Sequence, residues 1–77
     1  NRGEMAIYDE EEIKKAVEYG AVEMIIVSKS YDKKKIKEFK KLAETISAKF
    51  EIVSTETSEG DQFAKLSGIG AILRFKL

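Results

Sequence analysis

The chain has 77 residues and contains neither cysteine nor histidine, so we expect a single domain without disulfides, histidine- or thiolate-based catalysis, or an ordinary zinc site. Fourteen basic and fourteen acidic residues give a formal net charge of zero, which excludes a global basic field for nucleic acid. No apolar run is long enough for a bilayer and no signal-peptide pattern opens the chain, so we expect a cytoplasmic, non-enzymatic protein without membrane contact, cofactor or bound metal.

A first helix is predicted over about Glu10–Tyr19. Asp9 is well placed as its N-cap, with Glu12 closing a capping box, and Gly20 as the left-handed residue that ends it. The acidic run at its start suits the helix dipole. Because consecutive helical side chains point in different directions, we do not expect this run to hold a metal ion or act in catalysis.

The middle of the chain predicts a strand, a longer helix and a second strand. The nearly continuous apolar run Val22–Val27 is typical of a central strand covered on both faces. A turn over 28–32 leads into a helix over about 33–47, and Phe50–Ser54 is the next strand. Apolar residues recur along the helix at spacings of three and four residues, which predicts its core stripe: Ile36, Phe39, Leu42, Ala43 and Ile46.

The last third predicts a short helix over 58–66, capped by Ser58, and a terminal strand over 71–77. The glycine-containing segment 68–70 breaks the helix; it precedes a strand, so we interpret it as a close-packed reversal rather than a phosphate loop. Strand alternation predicts two faces: Leu73, Phe75 and Leu77 mainly in the core, and Ile72, Arg74 and Lys76 half-covered or at an interface.

These elements predict a small α/β/α sandwich with a mixed β-sheet. A strand, a crossover helix and a second strand favour a parallel pair, with the first of these strands central. The last strand could run either way and is expected towards an edge. The predicted centre of the single core consists of Met24, Ile26, Ile36, Phe39, Leu42, Ile52 and Phe63.

Lysines cover one face of the second helix. A row of lysines is commonly just a solvated surface, but three in the first helical turn oppose the helix dipole. This favours an anionic partner, either RNA or an acidic protein surface. No aromatic residue interleaves with them, so base stacking is not indicated. The possible anionic-partner face comprises Lys33, Lys34, Lys37, Lys40 and Lys41.

Two segments resemble one protein family. The segment 50–63, continued by Gly-Ile-Gly-Ala-Ile-Leu-Arg-Phe at 68–75, is similar to the last domain of the class 1 peptide chain release factors of archaea and eukaryotes. The segment 16–23 resembles that family's helix-to-strand junction, Ala-Leu-Glu-x-Gly-Ala-Val-Glu. The resemblance extends over nearly the whole chain from Tyr8 onward, and it implies that residues 1–77 are one release-factor C-terminal-type domain of a longer three-domain protein.

The resemblance implies a non-catalytic domain of translation termination, because the family's Gly-Gly-Gln and stop-codon-reading motifs belong to other domains. Its expected partners are a translational GTPase of the elongation-factor type, the ABC-type ATPase that recycles ribosomes and, in the full-length protein, the ribosome. Residue by residue, the similarity carries over partner binding to Leu66, Ile72, Leu73, Arg74 and Phe75. Leu66 replaces a residue that is usually aromatic in the family.

Two alternatives stay open. The ribosome-rescue factor Pelota shares the junction and the Ile-Leu-Arg-Phe ending, whereas Ser-Thr-Glu-Thr at 54–57 leans towards the release factors. Many release factors also carry a minidomain after the first strand, where this chain has only residues 28–32. A more distant resemblance is to the kink-turn RNA-binding ribosomal proteins, whose fold this chain should share. Glu11 stands where that family has asparagine, and a carboxylate repels phosphate.

Overall fold

A computed structural model describes residues 6–75 of the protein. Within these residues four strands and three helices follow one another: β1 (Ala6–Ile7), α1 (Glu10–Glu18), β2 (Val22–Ser28), α2 (Lys33–Thr45), β3 (Lys49–Val53), α3 (Ser58–Leu66) and β4 (Ile69–Leu73). None of these helices is both long and apolar enough to cross a membrane.

The first helix begins at Glu10, as predicted, and ends at Glu18, one residue earlier than predicted. The Asp9 carboxylate accepts a hydrogen bond of 3.2 Å from the backbone N–H of Glu12, which satisfies one of the free donors of the first turn. Gly20 adopts a φ of 66°, just after the C-cap residue Tyr19. Because glycine enters this left-handed region without a steric penalty, the chain can reverse tightly into β2.

The sheet is mixed, with strand order β1-β4-β2-β3. Strands β2 and β3 are parallel and β2 is interior, as predicted, whereas β4 is antiparallel to both β2 and β1. The expectation of an edge position for the last strand is wrong. A two-residue β1 is too short to show any periodicity, yet it covers the outer side of β4. The last strand also begins earlier, at Ile69, and ends at Leu73; Lys76 and Leu77 lie outside the described residues.

Helices α1 and α2 pack on one face of the sheet and bury the main core. The register places Ile25 opposite Ala71 and Val27 opposite Ile69, and Phe39 of α2 is fully buried, as predicted. The core consists of Ile13, Ala16, Val17, Ala21, Val22, Ile25, Val27, Phe39, Ala43, Ile69, Ala71 and Leu73. Partly buried side chains, including Ile36, Leu42, Ile46 and Phe50, pack against its margin.

The predicted core centre is therefore wrong along β2, because it assigned Met24 and Ile26, instead of Ile25 and Val27, to the main core. Met24 and Ile26 lie on the opposite sheet face, where they are only half-buried, together with Phe63. Ile52 lies on the edge strand β3 and is 52% exposed. A continuous apolar strand gives no alternation from which the more deeply buried face can be recognised. Helix α3 covers only part of this second face, which leaves apolar surface open.

Candidate protein-interaction surface

The position of α3 depends on a close backbone contact. Thr57 caps the helix by accepting a 2.9 Å hydrogen bond from the N–H of Gly60, so the predicted cap Ser58 is wrong by one residue. Gly60 is buried, and a Cβ atom there would lie 1.8 Å from the carbonyl oxygen of Ser54. The helix therefore starts tightly against the chain that leaves β3.

An apolar groove runs between α3 and the β1–β4 edge of the sheet. Its larger part has a volume of about 430 Å³ and is lined by Tyr8, Glu59, Gln62, Phe63, Leu66 and Ser67. Its smaller part, of about 180 Å³, is lined by Ala6, Tyr8, Ile26, Phe63, Gly70, Ala71 and Ile72. Tyr8 and Phe63 line both parts, so we treat them as one surface and call it the α3 groove.

The α3 groove exposes large apolar side chains to solvent. Leu66 is 79% exposed, Tyr8 58% and Ile72 38%. The Tyr8 ring lies over Gly70, where an added Cβ would be 3.1 Å from the ring atom Cδ1. A cluster of exposed apolar side chains with a polar rim is typical of a protein-interaction site.

The structure brings two of the five predicted partner-binding residues into this groove. Leu66 and Ile72 line it. Leu73 is only 7% exposed and belongs to the core on the other sheet face, which confirms its predicted burial but makes its side chain unsuited to a partner contact. Phe75 lies beyond the end of β4 and is 46% exposed, so the expectation that it is mainly core is wrong.

Arg74 has a partner within the domain. Its Nε and Nη2 atoms donate hydrogen bonds of 3.3 and 2.9 Å to the carbonyl oxygen of Val22, and its backbone N–H donates to Ala21 at 2.7 Å. These bonds tie the end of β4 to the junction between α1 and β2. The guanidinium can still contact a partner from its exposed side, and that role stays a prediction.

Sequence reasoning missed Tyr8 as a groove residue and assigned Phe63 to the core. Tyr8 follows a strand of only two residues, which is too short for strand alternation to predict the side of the sheet on which Tyr8 lies. Phe63 lies on the sheet-facing side of an amphipathic helix, but its helix covers only part of the sheet. The usable signal was the apolar Leu66 at the end of a polar helix, which the family resemblance picked out.

A polar cluster joins the beginnings of α1 and α2 away from the groove. Tyr31 donates a hydrogen bond to Glu10 Oε2, and Lys35 Nζ lies 3.0 Å from Glu10 Oε1. The hydrogen bond from Tyr31, followed by that from Lys35, lowers the pKa of Glu10. Burial, followed by the bond to Glu10, raises the pKa of Tyr31, and the bond to Glu10 raises the pKa of Lys35. The cluster keeps its charges paired and serves to hold the two helices.

The five lysines of the predicted anionic-partner face are all exposed. Four of them, with two glutamates, line a shallow depression of about 440 Å³: Lys34, Lys37, Glu38, Lys40, Lys41 and Glu44. Within residues 6–75, no group of three or more acidic side chains is arranged to hold a metal ion.

The fold and groove thus define a small α/β/α sandwich domain with an open apolar surface beside its third helix. The chain belongs to the family described as eRF1 domain 3, whose family model matches residues 1–77. It is 36% identical over 80 residues to a Pelota homologue of Pyrococcus horikoshii, covering 99% of this chain and 22% of the relative. It is 29% identical over 120 residues to peptide chain release factor subunit 1 of Thermococcus kodakarensis, covering 95% of this chain and 29% of the relative.

Solved structures show the same fold. An archaeal translation termination factor, aRF1, matches with a TM-score of 0.83 and 29% identity over 92% of this chain and 20% of that one. Dom34 of S. cerevisiae, described as interacting with Hbs1, matches with a TM-score of 0.75 and 33% identity, covering 94% of this chain and 22% of that one. A ribosome-bound archaeal Pelota with ABCE1 matches with a TM-score of 0.79 and 28% identity, covering 100% of this chain and 23% of that one. The predicted fold and family are confirmed, and the chain spans about a fifth of the length of the first relatives.

Proposed function

We propose that this domain is a non-catalytic protein-binding module of a cytoplasmic translation factor, and that the α3 groove receives its partner. The observation that carries the proposal is the exposure of Leu66, Tyr8 and Ile72 in one continuous depression. Membership of the eRF1 domain 3 family supports a role in translation termination or ribosome rescue. The longer protein would contribute further domains and ribosome binding.

The proposed partner of the groove is a translational GTPase of the elongation-factor type, and a second partner is the ABC-type ribosome-recycling ATPase. The family resemblance implies both, and two relatives support protein partners: Dom34 interacts with Hbs1, and an archaeal Pelota is described on the ribosome with ABCE1. Glu59 lines the groove and Glu56 is exposed nearby in the chain. An apolar partner surface with basic residues at its margin would complement this site.

Between the two kinds of factor, the alignments favour Pelota over the release factor first implied by the resemblance. The Pelota homologue aligns over 80 residues, close to the length of this chain, whereas the release factor aligns over 120. That release factor therefore carries a long insertion that this chain lacks. In the structure only residues 29–32 connect β2 to α2. A Gly-Gly-Gln motif upstream in the native gene would instead favour the release factor.

The test is calorimetric titration of a purified archaeal elongation-factor-type GTPase with two variants. Leu66→Ser removes the most exposed apolar side chain of the groove. Tyr19→Ser removes a comparably exposed one, 63% accessible, at the end of α1 outside the groove. We expect Leu66→Ser to weaken binding by about 1–3 kcal/mol, as for an interface anchor, with unchanged melting temperature. Tyr19→Ser should bind like the wild type.

Two outcomes would contradict the proposal. If Leu66→Ser binds the GTPase as tightly as the wild type, the groove is not the contact surface. If Tyr19→Ser loses as much affinity, the effect comes from general surface hydrophobicity and not from the groove.

A further inference from the structure

We infer that the exposed face of α2 is a docking surface for the phosphate backbone of double-helical RNA. The surface consists of Lys33, Lys34, Lys37, Lys40 and Lys41, and we call it the α2 lysine face. Lys37 is three or four residues away from each of the other four lysines, so the side chains lie on neighbouring rows of one helix face. Over two turns the rows span about 12 Å of helix axis.

The charge on this face is local and only weakly compensated. Six lysines and two glutamates occupy α2 although the whole chain has zero net charge. Lys35 forms an ion pair with Glu10, and Glu38 forms one with Lys14, with 3.3 Å between Lys14 Nζ and Glu38 Oε2. Within residues 6–75, no carboxylate lies within ion-pair distance of the five lysines of the α2 lysine face. Like charges at these spacings repel, and the first-turn lysines also oppose the helix dipole. An anionic ligand would relieve both costs.

The residue types favour phosphate over an acidic protein surface. Lysine is depleted at the cores of protein–protein interfaces, whereas lysine and arginine make the phosphate contacts of nucleic-acid complexes. A lysine ammonium is a point charge without the planar fork that reads base edges or carboxylates. The face has no aromatic side chain for stacking, which excludes a single-strand platform of the usual kind. Phosphate contacts to a duplex require neither device.

The location makes this surface independent of the α3 groove. Helix α2 packs on the sheet face formed by Ile25 and Val27, whereas α3 lies on the opposite face. The shallow depression between the lysine rows, of about 440 Å³, is open to solvent on the outer side of α2. The domain can therefore contact RNA through one side and a protein partner through the other.

The experiment is fluorescence anisotropy with the 77-residue chain and a labelled 20-base-pair RNA duplex of arbitrary sequence. We expect micromolar binding at about 50 mM NaCl, with a log–log salt slope of about −3 to −4 if four lysines neutralise phosphates. The variant Lys34→Gln/Lys37→Gln/Lys41→Gln should lose at least tenfold in affinity and reduce the slope to about −1. The matched control Lys15→Gln/Lys29→Gln/Lys49→Gln changes the net charge equally at exposed lysines elsewhere and should lose less than threefold.

Three results would overturn the inference. The first is an absence of duplex binding by the wild type at 50 mM NaCl. The second is an equal loss in both triple variants, since net charge alone would then explain binding. The third is competition by polyglutamate that is stronger than competition by unlabelled duplex, which would assign the face to an acidic protein. Thermal melts of both variants establish that each is folded, and none of these results bears on GTPase binding by the groove.

Discussion

The substitution Gly60→Ala tests the close contact between the start of α3 and the backbone of Ser54, and therefore the geometry of the groove. The added Cβ would lie 1.8 Å from the carbonyl oxygen of Ser54 and 3.0 Å from both its carbonyl carbon and the Thr57 hydroxyl oxygen. A contact below 3.0 Å with backbone cannot be relieved by rotating a side chain. The start of α3 must move away from the end of β3, or the Ser54 peptide must turn.

Two opposing effects set the magnitude of this change. Overpacking at a rigid site costs about 3 kcal/mol, the upper end of the usual range. Alanine is favoured over glycine inside a helix by about 1 kcal/mol. We therefore expect a net loss of about 2 kcal/mol in the free energy of unfolding. In a domain of this size this lowers the melting temperature by about 8–16 °C.

The assay is thermal and urea denaturation followed by circular dichroism, with Glu59→Ala as the matched control. Glu59 precedes Gly60 in the same helical turn but is exposed, so its replacement should change stability by less than about 0.5 kcal/mol. Because Phe63 follows Gly60 on the same helix, its NMR signals should shift in Gly60→Ala only. A Gly60→Ala variant as stable as the wild type would show that α3 does not rest on Ser54, and the groove geometry would be wrong.

Three further predictions concern other parts of the fold. Ser47 has a φ of 57° after the end of α2, so Ser47→Gly should raise stability by about 1 kcal/mol in urea denaturation; a destabilised variant would contradict this. Arg74→Gln should lose about 1 kcal/mol, because it removes the hydrogen bonds to Val22, whereas an unchanged melt would show that these bonds contribute nothing. The pKa of Glu10 is lowered by folding, so its stabilising contribution is present above its ordinary value of 4.5 and is lost as the pH falls through and below that value. Thermal melts between pH 7 and pH 3 should therefore show a smaller drop in melting temperature on acidification for Glu10→Gln than for the wild type. Equal drops would refute the link between Glu10 protonation and stability.

Part of the proposed interaction surface could be predicted and part could not. Leu66 and Ile72 were identified through a resemblance of short motifs, and both lie in the groove. Leu73 and Arg74 belong to the same motif, but the fold uses one in the core and ties the other to Val22. A linear motif cannot separate residues that support a strand from residues that face a partner, because both follow one another along the same segment.

The sequence by itself determined the helices and three of the four strands in the described part of the chain, because caps, helical periodicity and apolar runs act between residues close in the chain, and its short motifs indicated the family. Asp9, Gly20 and the stripe around Phe39 are such local signals. Only the tertiary structure decided that β1 pairs with β4, that Ile25 rather than Met24 faces the main core, and that α3 leaves Tyr8 and Leu66 exposed. These features depend on strand pairing and on how much of a sheet face a helix can cover, and both are set by contacts between residues far apart in the chain.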